Sequence, residues 1–239
     1  GDIYRLDLAK EQQEIVKSLS KTGVKIVLVL VEGRPKIISE IEPFSDAVIQ
    51  CYLPGDKGGV ALADIIFGKI NPSGKLPYTY PRYSGVIMHY DHKQSEVINA
   101  NTWKNDFFNP QYNFGHGLSY TKFEYSNMNI SKSAYSLSEK EITVTVDVKN
   151  TGKISGKEVV QLYSRDHVAT ISPPLRELVR YNKISLEPGE TKTVSFTVDI
   201  EELGFYNIDN VWVNETGQHS FYINNLESKD TDSNILKEN

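Results

Sequence analysis

Residues 24–31 read VKIVLVLV, a near-continuous β-branched run whose composition decides the first half of the fold. Such a run is the signature expected of a strand buried on both faces of a parallel sheet. Upstream, Leu8, Ile15, Val16 and Leu19 recur near helical spacing among Lys, Glu and Gln, predicting an amphipathic helix over residues 8–19 that Thr22 and Gly23 terminate. Downstream, residues 35–41 are a short helix candidate, and AVIQCY at 47–52 reads as a second buried strand. A Pro54-Gly55 turn and a helix over ALADIIF at 61–67 follow. Helix and apolar strand therefore alternate over about 70 residues, the pattern of an α/β layer. Two or three strands cannot cover both faces of a sheet, so the layer reads as half a domain.

The period then changes. Residues 68–118 carry Pro72, Pro77, Pro81 and Pro110 among Tyr78, Tyr80, Tyr83, Tyr90, Trp103, Phe107, Phe108, Tyr112 and Phe114. This aromatic density is that of an ordered loop region, since disordered linkers are poor in these residues. It is expected to pack between domains. After Tyr120 the repeat is two: Ile142, Val144, Val146 and Val148 alternate with Thr143, Thr145 and Asp147. Strands at 159–163, 194–198 and 221–223 repeat the theme, with turns at Asn150-Thr-Gly, Glu187-Pro-Gly-Glu and Glu215-Thr-Gly. Roughly seven short strands predict an all-β immunoglobulin or fibronectin type III-like sandwich. The expected organisation is an α/β partial sandwich over 1–85, an aromatic-rich interdomain loop over 86–120, a β-sandwich over 121–226 and a polar tail over 227–239.

Composition excludes several classes of function. A net charge of −5, with both signs scattered, provides no basic stripe for a nucleic acid. No apolar run approaches the ~20 residues that span a bilayer. No leader precedes Asp2, so any export signal is expected upstream or removed. The single cysteine, Cys51, forms no intrachain disulfide and reads as a small apolar residue.

Five blocks stand in order: VLVLVEGRPKII at 27–38, YLPGDKGGVALADIIFGKINPSGKLPYTYPR at 52–82, FGHGLSYTKFEYS at 114–126, VKNTGKISGKEVVQLY at 148–163 and LEPGETKTVSFTV at 186–198. Together they resemble the C-terminal part of glycoside hydrolase family 3, its β-glucosidase-like members especially. The resemblance implies an N-terminal barrel bearing an Asp nucleophile, an α/β sandwich that in many members brings a general-acid Glu, and a fibronectin type III-like domain. This chain corresponds to the second half of that sandwich and the third domain, with the acid Glu expected just before the segment matching Gly1.

Retaining hydrolysis needs two carboxylates about 5 to 5.5 Å apart. None of the 31 acidic residues falls in a block to which the resemblance assigns either role, so no catalytic residue is assigned and the chain alone is expected to be inactive. Implied partners are a β-glucoside or oligosaccharide and the barrel of the same polypeptide, with no nucleic acid, no metal and no cofactor. The implied location is the periplasm or the cell exterior.

Glu32 and Arg34 follow the buried strand directly and occupy the carboxyl end of the sheet, where open α/β sheets bind ligands; they are the cleft-edge candidates. The alternative for Gly33-Arg34-Pro35 is a tight turn anchored by the guanidinium. The glycines from Gly55 to Gly59 lack the Lys-Ser/Thr ending of a phosphate loop and read as a helix-start turn. His89, Asp91 and His92 lack a third strong ligand, so no metal site is assigned. Aromatics from Trp103 to Tyr120 suit interdomain packing or a cleft rim. Asn129-Ile-Ser and Asn214-Glu-Thr match the glycosylation sequon, and residues 219–226 depart from the family's usual last strand. Two further readings stand beside the enzyme: a stand-alone carbohydrate-binding or adhesion module, and an inactive truncated remnant.

Overall fold

The computed structural model describes residues 5–85, 89–93, 109–136 and 138–223. They fall into two compact units: residues 5–70, 76–85, 89 and 109–114, and residues 71–75, 90–93, 115–136 and 138–223. The polar tail expected over 227–239 and the aromatics Trp103, Phe107 and Phe108 lie outside the described residues.

The first unit is an α/β layer. Helix α1 (Lys10–Ser20) ends where Gly23 takes a positive φ of 76°, as the sequence predicts. Strand β1 (Val27–Leu30) pairs in parallel with β2 (Ala47–Gln50), with Leu28 opposite Val48. Helix α2 spans Gly58–Ile66 and begins three residues before its predicted start. It closes directly onto the Pro54-Gly55 turn, the Gly58 amide donating to the Gly55 carbonyl at 3.1 Å. A Cβ at Gly58 would lie 2.5 Å from the Pro54 Cβ, so only glycine fits there. The core of this unit gathers Ile26, Leu28, Leu30, Ile38, Ile41 and Tyr80, with Leu8 and Val16 packed against it.

Two expectations for this unit are overturned. The helix over 35–41 does not form. Ile37 instead makes a parallel bridge to Asp7, Ile38 is buried, and the chain reaches a 3-10 turn at Glu42–Phe44. Ile37 spends its amide on the Leu6 carbonyl at 3.0 Å, a pairing that a helix over these residues would forgo. The strands are also not buried on both faces: Leu28 and Leu30 are buried, whereas Val27 and Val29 remain 41% and 36% exposed. A two-stranded sheet with its helix and loops on one side leaves the other row of side chains open.

The second unit is a β-sandwich. One sheet has the order β3 (Phe123–Ile130), β4 (Glu141–Asn150), β7 (Thr191–Asp199); the other runs β10 (His219–Ile223), β5 (Gly156–Asp166), β6 (Glu177–Leu186). All pairings are antiparallel. A short hairpin, β8 (Phe205–Tyr206) with β9 (Trp212–Val213), is a separate ribbon. The inward rows Val144, Val146 and Val148 of β4, Val194, Phe196 and Val198 of β7, Val160 and Leu162 of β5, and Phe221 and Ile223 of β10 form one core between the sheets.

Asn150 ties the corner of this core. Its Oδ1 accepts from the Thr121 hydroxyl at 2.6 Å and the Gly152 amide at 3.1 Å, while Nδ2 donates to the Ile154 and Leu186 carbonyls at 2.8 and 3.1 Å. The segment Asn71–Lys75 is stitched to the same unit through Asn71, which donates to Ser155 and accepts from Ser119 and the Tyr120 amide. Lys75 donates to the Gly117 carbonyl at 2.8 Å and pairs with buried Glu158 at 3.3 Å; the other Glu158 oxygen accepts from the Tyr125 hydroxyl at 2.8 Å.

Candidate functional site at the carboxyl edge of the parallel sheet

β1 and β2 end side by side, and their pairing extends one step beyond them: the Cys51 amide donates to Leu30 at 2.8 Å and the Glu32 amide to Tyr52 at 3.0 Å. Tyr52 sits at a positive φ of 54°, a strained conformation for an aromatic residue. Its ring meets Tyr78 edge-on, and the series continues through Tyr80 to Tyr112 with centroids 6.4, 6.1 and 5.9 Å apart. Four tyrosines thus line the edge where both strands end.

The Tyr80 hydroxyl is buried between two acceptors, Glu32 Oε1 at 2.9 Å and the Lys36 carbonyl at 2.7 Å. Glu32 Oε1 also accepts from the Lys36 amide at 3.3 Å. This closes the Glu32–Lys36 loop around one carboxylate oxygen. Tyr112 donates to Glu42 at 3.3 Å, and Tyr80 and Tyr112 exchange backbone hydrogen bonds.

Burial, with the charges of Tyr52 and Glu32 adding to it, pushes the Tyr78 phenol up to about 12. Burial and then Glu42 do the same to Tyr112, also to about 12. Burial and the Glu32 carboxylate drive Tyr80 higher still. All three phenols therefore stay protonated at neutral pH, and Tyr80 and Tyr112 donate to the carboxylates beside them. The two carboxylates at this edge, Glu32 and Glu42, are each engaged by a tyrosine, so the arrangement positions a loop and receives hydroxyl groups. It is not a free carboxylate pair.

Of the two residues read from sequence, Glu32 is turned inward by Tyr80, and Arg34 is exposed and makes no ion pair among the described residues. Sequence reading missed Tyr52, Tyr78, Tyr80 and Tyr112 as one group, because they come from three separate segments. The PYTY run of residues 77–80, placing two tyrosines two apart on one extended face, is the signal that could have found half of it. Cys51 is half-buried and burial pushes its thiol up, which fits its reading as a packing residue.

His89 falls in the first unit, and Asp91 and His92 in the second. Residues 90–93 run along the corner between β5 and β6, the Leu178 amide donating to the Tyr90 hydroxyl at 3.3 Å and the Leu175 amide to the His92 carbonyl at 2.9 Å. Among the described residues, no cluster of three or more His, Cys, Asp or Glu could hold a metal ion. No described helix is long and apolar enough to cross a membrane. Of the two sequons, the Asn214 amide donates to the Ile200 carbonyl, and Asn129 is exposed on β3.

Residues 1–120 match the model of the glycosyl hydrolase family 3 C-terminal domain, and residues 158–226 that of a fibronectin type III-like domain. The chain belongs to glycoside hydrolase family 3. It is 37% identical over 227 residues to a periplasmic β-glucosidase of Salmonella typhimurium, covering 91% of this chain and 30% of that protein. A β-xylosidase of Formosa agariphila matches at 37% over 219 residues, 91% of this chain and 30% of the relative. Among solved structures, a β-glucosidase from Erythrobacter marinus superposes with a TM-score of 0.90 at 34% identity, over 99% of this chain and 31% of the other. A Listeria innocua β-glucosidase in complex with glucose gives 0.86 at 31% identity, over 99% and 34%. The chain therefore spans about a third of the length of the relatives it matches, as the C-terminal, β-glucosidase-like portion of this family, and its α/β layer followed by a β-sandwich is their fold.

Proposed function

We propose that these 239 residues are the C-terminal portion of an exo-acting β-glucosidase that removes terminal β-D-glucosyl residues with retention, using two carboxylates that lie outside them. The observation that carries this reading is the 37% identity to the Salmonella β-glucosidase along 91% of this chain. The geometry supports the same reading. The α/β layer offers hydroxyl donors and acceptors at one sheet edge and an open valine face, as a portion of a larger catalytic protein would. The chemistry of retention requires a nucleophile and an acid about 5 to 5.5 Å apart. The barrel of the same polypeptide is proposed to supply the nucleophile, and the segment preceding Gly1 the acid. No cofactor enters that chemistry.

In this reading the domains divide as 1–85, 86–120 and 121–226. Glu32, held by Tyr80, and Arg34 stand at the cleft edge, where the Glu32 carboxylate and the guanidinium meet sugar hydroxyls remote from the bond that breaks. The periplasmic relative supports a periplasmic or extracellular location. The equal identity of the Formosa enzyme supports β-xylosidase activity as a second specificity.

The test is hydrolysis of aryl β-glucoside and aryl β-xyloside by the 239-residue chain and by the polypeptide that includes the barrel. Activity confined to the longer protein is expected, with the preferred aryl sugar deciding between the two specificities. Turnover by the 239-residue chain itself would overturn the placement of the carboxylates.

A further inference from the structure

The hairpin β8–β9 carries more exposed apolar surface than a solvated turn requires. Ile208, Tyr206 and Trp212 are 92%, 60% and 42% exposed, and Val211 is exposed beside them. The two aromatic rings are in contact and one of them is anchored. The Trp212 Nε1 donates to the Glu201 carbonyl at 3.0 Å, fixing the indole. Gly204 makes room for it, since a Cβ there would stand 2.7 Å from Nε1 and 2.6 Å from the Val213 carbonyl oxygen. Tyr206 meets Trp212 edge to face, with centroids 5.1 Å apart and planes at 76°. The turn is locked as well: Asn207 Oδ1 accepts from the Asp209 and Val211 amides, both at 3.0 Å, and Asn210 takes a φ of 58°.

We infer that this hairpin is a glycan-binding platform, on which a pyranose ring of a β-linked polysaccharide stacks on Tyr206, the more exposed of the two rings, beside the anchored Trp212. Apolar C–H faces of a pyranose match fixed aromatic surface, and exposed Asp209 and Asn210 supply acceptors and donors for the equatorial hydroxyls at the rim. The patch is a handful of residues on a two-stranded ribbon. Because the indole is already anchored, little of its side-chain entropy is lost on binding. The choice of β-glycan as ligand rests on the proposed function. The platform itself belongs to the β-sandwich unit and would hold polymer without taking part in bond cleavage.

Affinity electrophoresis of the full chain through native gels containing laminarin or arabinoxylan tests this, with dextran as the α-linked control. Retardation by a β-glycan and not by dextran is expected. Tyr206→Ala, which leaves the Trp212 anchor intact, is expected to weaken binding roughly tenfold, about 1.4 kcal/mol, with an unchanged melting temperature. Tyr206→Phe should retain it. Wild-type mobility unaffected by both β-glycans, or retardation of Tyr206→Ala equal to wild type, overturns the inference. Should the barrel-containing polypeptide hydrolyse aryl glycosides in either of those cases, the platform fails while the proposed function stands.

Discussion

Val27, Val29 and Val31 on β1 and its extension form a row of alternating valines, and so do Val144, Val146 and Val148 on β4. The first row is exposed and the second is buried. Side-chain chemistry is identical, so the difference lies in what faces the row. β4 looks onto β5 and β10 across a closed sandwich. β1 has its helix and loop packing on the Leu28 side. A β-branched run declares that a face is to be covered; it does not say that the same chain supplies the cover.

The largest effect that sharpens this contrast is expected from Phe221→Ala, at the fully buried centre between the two sheets of the sandwich. It should cost about 3–5 kcal/mol in a urea titration of the β-sandwich. A loss below about 1 kcal/mol would show that the sheets do not share a tight core.

Next comes Lys75→Ala. It removes the cation paired with Glu158, buried on β5, and the loss of one partner of a buried pair is expected to cost about 3 kcal/mol. Recovery of most of that stability in the double variant Lys75→Met, Glu158→Leu would show that desolvation, not attraction, dominates the pair.

A third experiment addresses β1 directly. Leu28→Ala should destabilise the α/β unit by about 2–4 kcal/mol, whereas Val29→Thr should change it by less than about 0.5 kcal/mol in this chain. In the polypeptide that includes the barrel, Val29→Thr is expected to cost measurably more, because the row would then be covered. Equal small effects in both proteins would break the comparison.

The smallest effect concerns pH. His219 is buried on β10, and burial is the main cause holding its imidazole below the ordinary 6.5; Asp166 opposes this shift and His167 adds to it. The unfolded chain then binds the proton more readily than the folded one, so stability rises with pH across the window between the folded and unfolded values and falls as pH drops below about 6.5. Urea midpoints taken from pH 7.5 to 5.5 should decline, and His219→Gln should flatten the slope. An unchanged slope would assign the acid sensitivity to other groups.

Most of the sandwich was legible because its central strands alternate cleanly: residues 142–148, 159–163, 194–198 and 221–223 all fall within observed strands. β3 and β6 were not legible as strands. Both are edge strands whose outward positions are polar, with a register shift near Asn127 in one and Arg180, Asn182 and Lys183 in the other. At the candidate site, Glu32 and Arg34 could be read from their place after an apolar run. The tyrosine row could not, because Tyr52, Tyr78, Tyr80 and Tyr112 are brought together by long-range pairing.

By itself, the sequence determined the two classes of element, their order, the turns and the family, since each rests on local period and local motif. The tertiary structure alone decided which valine row is closed and which is open, that Glu32 turns inward onto Tyr80, and that Tyr206 and Trp212 stand out on a locked hairpin. The physical reason is the same in each case: burial and orientation depend on partners many residues away, and the local pattern constrains those partners only weakly.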